Sequence, residues 1–538
     1  MMRLPPVDVL VIGAGMAGGA ISCTLAEAGV QVTCLEQGRR IPHHERPHTS
    51  RFYEVDRAFS WNTAPNVRGW ASDYPVTSDT IQPLMFNAVG GSTAIYTAAW
   101  PRFRPSDFRK HDEHGMAPNW PLSYEDLAPW FAENDRSMGV SGLAGDPAMP
   151  PHDDYPNPPL PLGRGGERFA HACGELGWHW WPFPMAVASR DYRGRPACNG
   201  CGACQSGCNR DSLAGSHNTY WPRALTAGAE LRTGSRVERI LTDGRGTATG
   251  VVYVRRDTGL RYEQPAGTVV VACNGIGTPR LLLMSADDEH PNGLANSTDQ
   301  VGRNLMFHGL AIVEGWTPDV LEPHKGVICA SAYTAEFAET DPDRGFVNGF
   351  TLLACGMNGP GYQAIGSHSG NVAPWGAGHH AWFEEHFDRG MCLLVQSEDL
   401  PDPENRVTLD PDRVDSDGLP APHVRYRLHP NDDALLAFAC ERAAELLRGA
   451  GARDVTVNRF LDASGTYRPP AWHLMGTARM GDDPATSVVD PEHRAWDVRN
   501  LYVCDGSSLP TAGAVNPTST IGAVALRCGD AIRRHLGG

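Results

Sequence analysis

A chain of 538 residues with 46 Lys and Arg against 62 Asp and Glu carries a formal net charge of −16. At 41% hydrophobic and 20% charged residues it has the composition of a folded globular protein, large enough for two or three structural units. The acidic balance argues against nucleic acid and an anionic membrane as partners and favours a neutral substrate.

No run of about 18 apolar residues occurs, so no direct membrane insertion is expected. A buried-strand pattern begins at residue 7 and leaves no room for a leader. The expected location is cytoplasmic, with export alongside a leader-bearing partner left open. In chain order, residues 7–12 read as a buried strand, 17–28 as a helix closed by Gly29, and 30–35 as a second strand ending at Glu36. This is a βαβ unit. A Pro-punctuated polar segment follows over 41–80, and 146–166 reads as a long surface loop. Residues 236–254 alternate like a hairpin or meander, 268–272 form another buried strand, and a helix starts at Pro279. Over 310–465, short apolar runs alternate with turns around one amphipathic helix at 434–447, which predicts an antiparallel sheet backed by helices.

Gly13, Gly15 and Gly18 lie between the first strand and its helix. They allow a tight turn, close approach of a pyrophosphate, and packing of helix on strand. The free N–H groups of the helix N-terminus then face the phosphates, and Glu36 is placed to accept from a ribose diol. The motif does not separate FAD from NAD.

Near the other end stand His473-Leu474-Met475-Gly476-Thr477, Asp505-Gly506-Ser507-Ser508 and Asn516-Pro517-Thr518. Between them lie Gly90-Gly91-Ser92-Thr93-Ala94-Ile95, Asn274-Gly275-Ile276-Gly277-Thr278-Pro279, Val301-Gly302-Arg303-Asn304-Leu305 and Asn405-Arg406-Val407. Taken in order, these motifs resemble the glucose–methanol–choline (GMC) oxidoreductases, FAD enzymes that oxidise alcohols. The segments 100–108 and 119–124 are closer to the branch of pyranose oxidases, glycoside 3-oxidases and bacterial sugar and gluconate dehydrogenases. That resemblance implies a Rossmann-like FAD-binding domain (1–110, 205–310 and 470–538) and an α+β substrate domain (311–469). Residues 111–204 are expected to form an insertion or cap ending in a cysteine-rich loop.

The resemblance makes His473 the base that takes the alcohol proton, a task suited to a neutral imidazole. It makes Asn516 the amide that holds the developing alkoxide while a hydride passes to flavin N5. The expected cofactor-binding set is Gly13, Gly15, Gly18, Glu36, Gly90, Gly91, Ser92, Val237, Asp505, Pro517 and Thr518. Where relatives have Asn or His this chain has Tyr96, and where pyranose oxidases tether the flavin through a histidine it has Ile95, so FAD is expected to be non-covalent. Met475 and Met480 read as packing residues. Trp178, Trp180, Trp181 and Phe183 read as core or interface before they read as a sugar wall.

Cys198, Cys201, Cys204 and Cys208 have the spacing of a ferredoxin loop, although Asn209 replaces the usual proline. An iron–sulfur cluster, a zinc site and unmetallated thiols all fit this run. The expected function is oxidation of a CH–OH group of a sugar, glycoside, polyol or other alcohol, with oxygen, a quinone or a redox protein as acceptor. The competing readings are a flavin and iron–sulfur electron-transfer subunit and an NAD-linked dehydrogenase.

Overall fold

A computed structural model of the chain describes residues 1–45, 54, 75–78, 80–204, 207–357, 359–365 and 373–537. Most of the polar 41–80 segment therefore lies outside the described residues.

Strand β1 (Val7–Ile12) buries five of its six side chains, as a strand covered on both faces must. Helix α1 (Met16–Glu27) follows, and β2 (Val32–Leu35) returns parallel to β1 with Val9 opposite Val32. The expected strand over 30–35 is shortened because Val30 N–H bonds to Leu25 O, which keeps it in the exit turn of α1. Gly29 in that turn has φ +83°. Strand β3 (Glu230–Arg232) adds to β2, while β4 (Ser235–Thr242), β5 (Ala248–Arg255) and β6 (Arg261–Val271) run as an antiparallel meander. β6 joins two kinds of sheet. Its first half pairs antiparallel with β5, and its second half pairs parallel with β1.

Helix α2 (Asn274–Met284) leaves the end of β6 and contains Pro279 in its interior. The expected start at Pro279 is therefore corrected to Asn274. Proline in a helix frees the carbonyl four residues back, here that of Gly275. Thr477 Oγ1 donates to that oxygen at 2.8 Å, so a residue of the His473 motif makes the proline tolerable.

The second sheet comprises β7 (Gly309–Trp316), β8 (Ala332–Thr334), β9 (Phe350–Cys355), β10 (Gly390–Ser397) and β11 (Arg453–Asn458), with Trp181–Pro182 at one edge. Every pairing in it is antiparallel. Ala311, Val313, Leu352, Leu393 and Val395 pack on helix α3 (Pro430–Gly449) in one core, whereas Tyr333 and Leu353 on the opposite face belong to the core of the first sheet. α3 begins four residues before the expected 434. Its cap is His429, which accepts from Asn431 N–H in place of the usual Ser, Thr or Asp, and Pro430 occupies the first turn.

Strand β12 (Leu501–Val503) then returns to the first sheet beside β6, and helix α4 (Thr518–His535) packs on α1. The 111–204 segment is shared between layers: helix Tyr124–Met138 packs on α4, and helix Gly163–Leu176 packs on α3. The latter helix also takes up the last residues of the expected 146–166 loop. Among the described residues no helix is long and apolar enough to cross a membrane.

Candidate active site

A cleft open toward solvent runs from the Gly13 turn to His473. Its lining runs from the Gly13 turn and Glu36 to Pro517 and Thr518, an elongated course that suits a dinucleotide. Of the expected residues, Gly13, Gly15, Glu36, Gly91, Ser92, Val237, His473, Asp505, Pro517 and Thr518 line it. Gly18, Gly90 and Asn516 are not part of that lining.

The glycines divide the work. At Gly13, φ is +102° and a Cβ would lie 2.4 Å from Ala272 O, so only glycine fits. A Cβ on Gly18 would strike Gly13 O at 1.9 Å, which makes Gly18 the residue that lets α1 close on β1. Gly15 has no neighbour within 4 Å of a would-be Cβ and faces the open cleft. These are the features a pyrophosphate needs: bare backbone at a helix N-terminus. Gly90, at φ +101°, abuts His217 and supports the loop from behind.

Glu36 bridges the turn, accepting from Ala14 N–H at 2.8 Å and Gly38 N–H at 2.7 Å. Burial raises its pKa, and these two N–H groups oppose that shift. A carboxylate has about four acceptor sites, so capacity remains for a diol. Asp505 accepts from Asn274 N–H, Thr278 Oγ1 and Ser507 N–H at 2.6–3.0 Å. It therefore ties the start of α2 to the 505–508 turn as well as lining the cleft.

His473 is brought into place by a seam of backbone. Met475 and Met306 exchange N–H···O bonds, and Ala478 and Met480 N–H bond to Ser507 and Ser508 carbonyls. Gly476 passes so close to Asn304 O that a Cβ would lie at 2.1 Å, and Gly275 allows the same approach of Leu474 to α2. Val301–Leu305 and Asn405–Val407 complete the seam through Gly302 N–H to Thr477 O, Leu305 N–H to Asn405 O and Val407 N–H to Gly302 O. The small motifs of the sequence are thus the mortar that places His473.

Asn516 Nδ2 lies 3.3 Å from His473 Nε2, and its Oδ1 is buried without a hydrogen-bond partner. On the other side His473 Nδ1 lies 2.8 Å from His308 Nδ1, and His308 Nε2 lies 2.9 Å from Gly513 O. Desolvation holds His473 well below its usual pKa, with His308 adding to the effect. Burial lowers His308 to about 4. Both rings are neutral at physiological pH. His308 was missed in the sequence because it stands as a lone histidine in the apolar run 305–310, where a packing role is the natural reading. Trp472, Phe86, Asn87 and Arg236 also line the cleft and had no sequence signal.

Other expectations fall elsewhere. Tyr96 turns away and donates to Ala214 O at 2.7 Å. Trp178 packs edge-on against Phe337, Phe183 against Tyr333, and none of the four aromatic residues lines the cleft. Met475 and Met480 are buried in the core. Around the cysteine run, Gly200 N–H bonds to Cys198 Sγ, and burial raises the pKa of Cys198 and Cys204. Among the described residues no three His, Cys, Asp or Glu side chains are grouped to hold a metal ion.

This chain belongs to the GMC oxidoreductase family, matching its N-terminal part over residues 7–310 and its C-terminal part over 401–525. It is accordingly a flavin-dependent oxidoreductase with a Rossmann-type FAD-binding unit and a substrate unit. It is 48% identical to 2-methyl-1,2-propanediol dehydrogenase from Mycolicibacterium austroafricanum, over 98% of this chain and 95% of that one. It is 28% identical to the fructose dehydrogenase large subunit of Gluconobacter japonicus, over 98% of each. Among solved structures, formate oxidase from Aspergillus oryzae, studied for the modification of its FAD, superposes with a TM-score of 0.68 at 17% identity. That superposition covers 99% of this chain and 98% of the other, and shows the shared fold.

Proposed function

We propose that the enzyme oxidises a primary or secondary alcohol group of a small neutral diol, polyol or sugar to a carbonyl, with His473 as the base. The observation that carries this reading is the 3.3 Å approach of Asn516 Nδ2 to His473 Nε2 at the end of the dinucleotide cleft. A hydroxyl docking beside this pair, within reach of both, donates its proton to His473 Nε2 and accepts from Asn516 Nδ2. The amide thereby stabilises the oxygen as negative charge develops. FAD, when bound, accepts the hydride from the carbinol carbon. Gly15 and the N-terminus of α1 would hold its pyrophosphate, Glu36 its ribose, and Pro517 and Thr518 its ring. With Ile95 in the glycine loop, that binding is non-covalent.

The relative named for 2-methyl-1,2-propanediol makes 1,2-diols the first substrates to try, and a net charge of −16 favours neutral ones. The reaction proposed here draws on none of Cys198, Cys201, Cys204 and Cys208.

The test mixes flavin-loaded enzyme anaerobically with 1,2-diols, polyols, free sugars and aryl alcohols and follows loss of the oxidised-flavin absorbance. At least one diol or sugar should bleach the flavin. His473→Ala should retain its flavin and bleach about 10³-fold more slowly, within the range of general-base catalysis. Equal rates in the two proteins would refute the assignment of the base. Reoxidation by oxygen, compared with a quinone, then identifies the acceptor.

A further inference from the structure

We infer that His308 is a positioning residue that selects Nε2 of His473 as the base and shares the proton it takes up. This rests on His473 being the base, and the argument begins at a carbonyl. Gly513 O can only accept, so the His308 Nε2 beside it, at 2.9 Å, carries a hydrogen. In a neutral ring the other nitrogen is then bare, so His308 Nδ1 is an acceptor. Its partner at 2.8 Å is His473 Nδ1, which must therefore be the donor. One step further, His473 Nε2 is left bare, and Asn516 must present its NH₂ edge to it, not its oxygen. One backbone oxygen thus dictates, through two rings and an amide, that the lone pair for the alcohol proton sits on the substrate side.

The same chain handles the proton afterwards. When the alcohol O–H bond breaks, its proton joins His473 Nε2 and the ring becomes a cation with Nδ1–H still on His308. Passing that second hydrogen to His308 Nδ1 leaves His473 neutral and puts the charge on His308, whose Nε2–H is already bonded to Gly513 O. No group is consumed, and the charge is spread over two rings in a buried place where one alone would be costly. His308 enters from the start of β7, whereas His473 and Gly513 belong to the C-terminal segments. The base is therefore fully set only when the second sheet is seated on the first. The acidic groups nearby are committed elsewhere: Glu398 bonds Lys110 at 2.9 Å, and Asp399 takes Phe307 N–H and the Tyr426 hydroxyl. Tyr467 is bound at Leu310, and Asp505 at α2.

The experiment compares flavin-loaded His308→Leu, His308→Asn and His473→Ala with the parent enzyme in anaerobic flavin reduction by the best alcohol across pH. His308→Leu should slow reduction about 100-fold while the alcohol concentration giving half-maximal rate moves less than threefold. Added imidazole should restore part of the rate in this variant and none in the parent. His308→Asn can still donate to Gly513 and accept from His473 but cannot take a proton. It should stay within about tenfold of the parent, with the acid limb of its pH profile moved to lower pH. A normal rate and an unmoved profile in either flavin-loaded His308 variant would overturn the inference; should the leucine variant fail to hold flavin, the asparagine variant decides. His473→Ala separates the two claims. If it too reacts normally, the base assignment has failed; if it alone is slow, only the role of His308 has.

Discussion

At the Gly13 end of the cleft the groups that face a ligand are backbone N–H groups and one carboxylate, all set within residues 13–38. At the His473 end they are side chains from three segments, with His308 and His473 separated by 165 positions and joined by a single 2.8 Å contact. The first end is rigid by construction, since Gly13 and Gly18 sit where no Cβ fits. The second depends on how two sheets meet. In the proposed reading, binding rests on local backbone and chemistry on a tertiary contact, so damage at the two ends should look different.

The largest effect is expected at the local end. Gly13→Val places a branched side chain at φ +102° against Ala272 O. Strain and clash together should exceed about 3 kcal/mol, seen as loss of soluble, flavin-loaded protein. Gly15→Val, with open space around its Cβ, should instead melt like the parent while losing flavin. If Gly15→Val retained full flavin, the turn would not be the pyrophosphate site.

Acid should separate the ends next. His308 is held neutral with its pKa lowered from 6.5 to about 4. Between these values the unfolded chain binds a proton that the folded one refuses, so stability falls as pH drops from 6.5 toward 4. The shift corresponds to roughly 3 kcal/mol at this one residue. Thermal melts of the parent should decline over that window, and those of His308→Asn should decline less. Parallel slopes would show that the histidine pair is not the source.

The smallest effect concerns the amide. Asn516→Ala removes the donor to the substrate oxygen and should slow flavin reduction about 100-fold, or about 2.7 kcal/mol, at unchanged flavin content. A rate within threefold of the parent would remove Asn516 from the chemistry.

The contrast also explains what could be read in advance. The βαβ unit was legible to within two residues, because its signals are short-range: an apolar run, a glycine turn, a closing acid. The antiparallel character of the second sheet was legible from alternation alone. α2 was misplaced because Pro279 was read by the local rule for helix starts, while the partner that makes it tolerable, Thr477, lies about two hundred residues away. Likewise the Asn304 and Asn405 motifs were visible, but not that they form the seam beneath His473.

From residue order alone came the dinucleotide turn, the candidates His473 and Asn516, and the membership that their sequence of motifs implies, because each rests on neighbours in the chain. Tertiary structure decided that Nε2 of His473 meets Asn516 while Nδ1 meets His308, and that Tyr96 bonds to Ala214 O away from the cleft. Those outcomes depend on hydrogen bonds and contacts between distant segments, and such distances exist only after the sheets have packed.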